Sequence, residues 1–213
     1  MKKNIAIIGS GFSSLSAACY LAKNGHNVTV FEKNEELGGR ARQFKAKGFT
    51  FDMGPSWYWM PDVFEKFFND FNKSTKDFYE IEKLNPAYRV YFGLDDYIDI
   101  EDSIEKISKK FEKIETGSGK KLKKFLKRAK ENYGIGVTDM LYKMPGLSPL
   151  ELVSFKTIKK IRYFLSTIRK EVHRDFKNPK LRSVLEFPVL FLGAKASNTP
   201  AFYNFMNYAD FGL

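Results

Sequence analysis

One cysteine, Cys19, and two histidines, His26 and His173, are all that this chain of 213 residues has of those two types. A lone cysteine excludes an internal disulfide, and the three residues together are too few for a Cys/His metal cluster. No metal site is therefore expected. Long apolar runs are missing too. None approaches the roughly 18 residues that a membrane-spanning helix requires. The chain starts Met1-Lys2-Lys3, and Gly9 and Gly11 interrupt the apolar stretch after it, so a secretory leader is not expected and a cytoplasmic setting is. Internal repeats and low-complexity linkers are absent.

Apolar residues, in contrast, make up 43 %, enough for a packed core and far from disordered composition. Charge is lopsided: 36 Lys and Arg against 25 Asp and Glu leave a net +11. Such a surplus suits anionic partners, namely nucleic acid, an acidic lipid surface or a phosphate-bearing cofactor. It is equally what solvated helix faces look like. No recognised nucleic-acid motif accompanies the lysines, so nucleic acid is not expected as a partner.

The most informative stretch is NIAIIGSGFSSLSAACYLAKNG, residues 4–25. Ile5–Ile8 reads as a buried parallel strand ending in glycine. Leu15, Ala18, Cys19 and Ala22 recur at helical spacing, and Gly25 stands where a helix cap is expected. NVTVFE, residues 27–32, reads as a second strand. Between the first strand and the helix lies Gly9-x-Gly11-x-x-Ser14. In a dinucleotide-binding turn the first glycine permits the tight bend, and the second lets backbone approach a pyrophosphate. The third lets helix and strand pack closely. Only that third role is altered by Ser14. The pyrophosphate would meet free N–H groups at the positive end of the helix. Glu32 lies 21 residues after Gly11, at the end of the second strand, where a carboxylate accepts hydrogen bonds from a ribose 2′-hydroxyl. The competing reading is a glycine turn in an ordinary βαβ unit, with Glu32 as surface charge. NAD and FAD both fit to this point. The next segment favours FAD: Gly38-Gly39-Arg40 brings close backbone approach and a forked donor for phosphate, and the chain then enters strand fragments rather than another helix and parallel strand.

Further along, RQFKAKGFTFDMG (42–54) reads as two short strands around Gly48. Pro61 opens a helix with Val63, Phe64, Phe67, Phe68 and Phe71 on one face. YRVYF (88–92) and YIDI (97–100) flank a hairpin turn. From Ser103, a candidate N-cap, the chain turns helical. Ile104, Ile107, Phe111 and Ile114 form one stripe, and Leu122, Phe125, Leu126, Ala129 and Tyr133 form the next after a break at 116–119. Ser148-Pro149-Leu150-Glu151 is a capping box, helix continues to about Val172, and Asn178-Pro179 and Thr199-Pro200 mark later starts. Only two parallel strands are identifiable, which leaves sheet edges and faces uncovered and suggests an incomplete chain. The lysines and arginines of 105–131 and 156–174 lie on helices with an apolar stripe, a pattern shared by membrane-surface helices and ordinary solvated ones.

The run from Gly9 to Phe68 resembles the N-terminal part of bacterial-type phytoene desaturases, FAD-dependent carotenoid desaturases of the wider flavin amine oxidase group. The spacing of Glu32 and Gly38-Gly39-Arg40, and GFTFDMGPSWYWMPDVF (48–64), carry most of the likeness, which extends more loosely to the C-terminus. The resemblance implies an α/β fold: an incomplete Rossmann-like FAD-binding βαβ unit, residues 1–72, and a mostly helical substrate- or membrane-facing region with a β-hairpin, residues 73–213. It implies that Gly9, Gly11, Phe12, Ser13 and Ser14 surround the FAD pyrophosphate. Glu32, with Lys33 beside it, would hold the adenosine ribose, and Gly38, Gly39 and Arg40 the phosphate and ribityl region. Gly54, Pro55 and Ser56 would lie near the flavin.

The implied reaction is dehydrogenation of a C–C bond in an apolar polyene, with hydride accepted by the flavin and a proton lost. The implied setting is peripheral contact with an anionic membrane. Asp52 would lie near the site, as an acid/base group or a loop brace. Trp57-Tyr58-Trp59-Met60 would line a polyene channel or pack on the phenylalanine face. Two other functions stay open: another flavin amine oxidase-like oxidoreductase or a carotenoid isomerase, and a non-catalytic membrane-binding fragment that keeps the nucleotide fold.

Overall fold

The computed structural model describes residues 1–54, 57–143, 148 and 155–213. Pro55 and Ser56, and the capping box apart from Ser148, lie outside the described residues. Two compact units succeed one another along the chain, Met1–Phe78 and Tyr79–Leu213.

In the first unit β1 (Asn4–Ile8) pairs in parallel with β2 (Asn27–Phe31), Ile5 opposite Val28 and Ile8 opposite Phe31. The crossover is α1 (Phe12–Lys23), capped by Asn24 and followed by Gly25 at φ +84°. The chain can leave the helix there because glycine tolerates the left-handed region. The expectation of a buried strand is corrected: side chains alternate between half-buried and exposed along β1, and Ile8 is 90 % exposed. Two strands and one helix cannot enclose a sheet. The helical stripe is shifted as well. Ser14, Leu15, Ala18 and Leu21 are half-buried, whereas Cys19 and Ala22 are exposed.

A hairpin of β3 (Gln43–Ala46) and β4 (Phe49–Asp52) comes next. Lys47 (φ 50°) and Gly48 (φ 83°) form its two-residue turn, both with the positive φ that a type I′ turn requires. α2 (Pro61–Asn69) starts on Pro61, whose missing N–H costs nothing at a first helical position. Phenylalanines of α2 and of the turn after it staple the unit. Phe64 meets Phe12, and Phe67 and Phe71 flank Tyr20, whose hydroxyl donates to Asp70 at 2.7 Å. Tyr58 packs on Phe64 at 4.6 Å, whereas Trp57 is exposed.

The second unit opens with the antiparallel hairpin β5 (Tyr88–Tyr91) and β6 (Tyr97–Ile100). Next come α3 (Ile104–Ile114), capped by the Ser103 hydroxyl, and α4 (Ser118–Tyr133), which runs into a π-helical segment, Gly134–Leu141. The remainder is α5 (Phe155–Ile158), α6 (Ile161–Leu165), α7 (Ile168–Asp175), α8 (Pro179–Glu186) with Asn178 as its cap, and α9 (Phe205–Phe211). The core is built by the two expected stripes: Ile107 and Phe111 of α3, and Leu122, Phe125 and Leu126 of α4. These pack with Phe176, Leu181 and Leu185. Continuous helix to Val172 is corrected. Thr167 caps α7 through its side chain and bridges to Pro200, so the chain breaks at Ser166. The start expected at Pro200 is a short 3-10 turn, Ala201–Asn204, before α9.

Candidate dinucleotide site

The site is built at the C-terminal end of β1. Gly9 sits at φ +94°, and its N–H donates to the Phe31 carbonyl at 2.7 Å, which ties the turn to the end of β2. The chain then enters α1 from Gly11, which has no side-chain cap. The first helical bond runs from Leu15 N–H to the Gly11 carbonyl at 2.9 Å. The N–H groups of Phe12, Ser13 and Ser14 therefore point out of the helix start without helical acceptors, and no acidic side chain occupies the first turn. Ser14 is half-buried, and its hydroxyl would stand 3.9 Å from a methyl group placed on Gly9. The serine therefore fits under the turn without filling the space in front of it. Phe12 contributes backbone here, since its ring is turned against Phe64.

Glu32 comes directly after β2 and reaches across to the turn. Its Oε2 accepts from the N–H and the hydroxyl of Ser10, both at 2.8 Å, and its Oε1 accepts from the N–H of Asn34 at 2.9 Å and from the Asn34 side-chain amide at 2.7 Å. The Asn34 N–H first, then the Ser10 hydroxyl and N–H, pull the carboxyl down to about 2, so Glu32 is ionised throughout the physiological range. Ser10 and Asn34 are functional candidates that the sequence alone did not single out. The signal available was a polar residue between the two glycines and an amide two positions after the acid.

The Gly38–Arg40 segment folds onto the same turn. Gly38 N–H donates to the Ser10 carbonyl at 3.0 Å, and Gly38 and Gly39 both take positive φ, 102° and 60°. A methyl group on Gly39 would stand 3.1 Å from Cα of Gly11, a tight approach to backbone that would have to give by a few tenths of an ångström. Gly54 continues the assembly, because a methyl group there would collide with the Arg40 carbonyl oxygen. Arg40 itself is exposed and makes no ion pair among the described residues. Lys33 is exposed and is not drawn into the turn. Asp52 accepts from Gln43 at 3.2 Å across the hairpin, the bracing role of its two alternatives. A dinucleotide fits this donor set: open N–H groups and a free guanidinium for its phosphates, an ionised carboxylate for its ribose, and glycines where a Cβ would intrude.

A model of the NAD(P)-binding Rossmann-like domain matches residues 7–73. A carotenoid 3,4-desaturase of Haloarcula japonica is 37 % identical across 99 % of the chain. A 4,4′-diapophytoene desaturase (4,4′-diaponeurosporene-forming) of Staphylococcus aureus is 34 % identical across 94 %. The chain is similar to both of these desaturases. It spans 43 % and 40 % of the length of these two desaturases. Among solved structures, putrescine oxidase aligns with 98 % of the chain at TM-score 0.57 and 16 % identity, covering 42 % of that protein. A fatty acid isomerase from P. acnes aligns with 97 % at TM-score 0.52 and 18 % identity. At such identities the likeness concerns the fold. Among the described residues, no helix is long and apolar enough to cross a membrane.

Proposed function

We propose that Met1–Phe78 holds FAD and that the protein works as a desaturase on an apolar polyene of the carotenoid type. One observation carries the cofactor assignment: Glu32 is fixed over Ser10 while Gly38–Arg40 folds against Gly11, so a ribose acceptor and phosphate donors converge on one open helix start. Ionised Glu32 accepts hydroxyls and repels a 2′-phosphate. The positions expected to contact cofactor divide accordingly. Gly9, Gly11 and the N–H groups of Phe12, Ser13 and Ser14 would face the pyrophosphate, Glu32 the ribose, and Gly39 and Arg40 the remaining phosphate. Gly54 supports that loop from behind. Bound flavin would supply hydride acceptance; the residues of the first unit bind, orient and fix charge. The names of the two desaturases support the substrate class.

Peripheral membrane contact belongs to the same reading, because such a polyene dissolves in lipid. Phe155 and Leu165, 76 % and 79 % exposed, bracket exposed Ile158 and Ile161, with Lys159 and Arg162 between them. Exposed apolar side chains interleaved with cations suit an anionic bilayer surface, so more chain should sediment with anionic than with neutral vesicles.

The test is twofold. Purified chain given FAD should retain a flavin absorbance band after gel filtration. Cells accumulating phytoene or diapophytoene should gain longer-wavelength pigments when they express the reading frame that encodes this chain. Absence of the band overturns the cofactor assignment, and unchanged polyene overturns the desaturase assignment.

A further inference from the structure

An ionised carboxylate offers roughly four acceptor positions, and in Glu32 four donors already fill them. Ser10 supplies two to Oε2 and Asn34 supplies two to Oε1. A ribose can reach Glu32 only if one of these donors leaves. The two backbone N–H groups are fixed by the chain, so a side chain must move. The candidates differ sharply in surroundings. Ser10 is 0 % exposed, and a hydroxyl withdrawn from the carboxylate there would have no water to turn to. Asn34 is exposed, and its amide can rotate into solvent and be hydrated at once. The cheaper exchange is therefore at Oε1, with Oε2 left in the grip of Ser10.

We propose that Asn34 is a gate on the ribose acceptor, its side-chain amide holding Oε1 of Glu32 until the cofactor hydroxyl replaces it, and that Ser10 is the positioning residue that keeps the carboxylate aimed. This rests on the assignment of FAD to the first unit. It gives two neighbours of one carboxylate opposite effects. Loss of Asn34's amide removes a competitor, and loss of Ser10's hydroxyl loosens the acceptor.

The full chain, its Asn34→Ala variant and its Ser10→Ala variant should be titrated with FAD and, separately, with ADP, which carries the ribose without the flavin. Asn34→Ala is expected to tighten both ligands by about fivefold, and Ser10→Ala to weaken both by a similar factor, the net effect of one hydrogen bond. Wild-type protein supplies a readout that needs no variant. On adding ADP, the side-chain NH2 signals of Asn34 should move to solvent-exposed positions in the ¹⁵N spectrum, while the Ser10 amide keeps its hydrogen-bonded shift. Asn34→Ala that binds no tighter than a binding wild type, or an Asn34 amide that ADP leaves unmoved, overturns the gate and leaves the FAD assignment standing. FAD and ADP bound by neither wild type nor Asn34→Ala overturn both.

Discussion

Glu32 shows how far one side chain can be specified by its neighbours. Its carboxyl lies at about 2 against an ordinary 4.5 because four donors face it, and burial works weakly in the other direction. An acid held below its unfolded value stabilises the fold at pH above about 4.5 and loses that contribution as pH falls towards 2. The melting temperature of Glu32→Gln should thus lie below wild type near neutrality, and the gap should close between about pH 4.5 and pH 2. Trp57 and Trp59 are the only tryptophans and both lie in the first unit, so tryptophan fluorescence tracks this transition selectively. Gly54 makes a complementary prediction. Ala at this position would press its methyl into the Arg40 carbonyl, and backbone, unlike a flexible side chain, has little room to give. Gly54→Ala should destabilise the first unit by about 1–3 kcal/mol in urea unfolding read by the same tryptophans, with loss of FAD binding in parallel.

At the level of elements, the range of the interactions decides what the sequence announced and what it hid. Local signals were readable. Gly48 and the 93–96 turn located two hairpins, Ser103 and Asn178 located two helix starts, and the α3 and α4 stripes located the core. That the glycine turn and Glu32 would come together was readable because a βαβ unit forces their spacing, and Gly38–Arg40 folds onto the same turn. Features decided by distant partners were not. The break before α7 exists because Thr167 meets Pro200, and the Glu32 network depends on side-chain rotamers of residues 22 positions apart. α1 carries two overlapping stripes, and the line through Ser14, Ala18 and Leu21 prevailed over the one through Cys19.

The link between β5 and α9 is a long-range feature of the same kind. Tyr88 donates to Asp210 at 2.6 Å, and burial raises the Asp210 carboxyl to about 7 despite that bond. Between pH 3.8 and about 7 the folded state keeps a proton that the unfolded chain releases, so this group lowers stability as pH rises through that window. Asp210→Asn keeps an acceptor for Tyr88. At about pH 8 it should melt about 2–4 °C above wild type, a difference that vanishes near pH 4, in circular dichroism at about 222 nm.

On the scale of the molecule the two units differ in kind. Tyr79–Leu213 closes over a core in which Phe111, Phe125, Phe176 and Leu185 are fully enclosed. Met1–Phe78 has only Ser10 and Thr75 buried among its described residues and is held together by half-covered aromatic contacts, hydrogen bonds and glycine approaches. The desaturases that the chain resembles are more than twice as long. Each strand of the parallel pair has a single neighbour among the described residues, so β1 and β2 both present an unsatisfied ladder to their surroundings. Any chain that continued this parallel sheet would have these two edges to pair with, and a strand added on either side would bury the side chains that β1 and β2 now leave exposed.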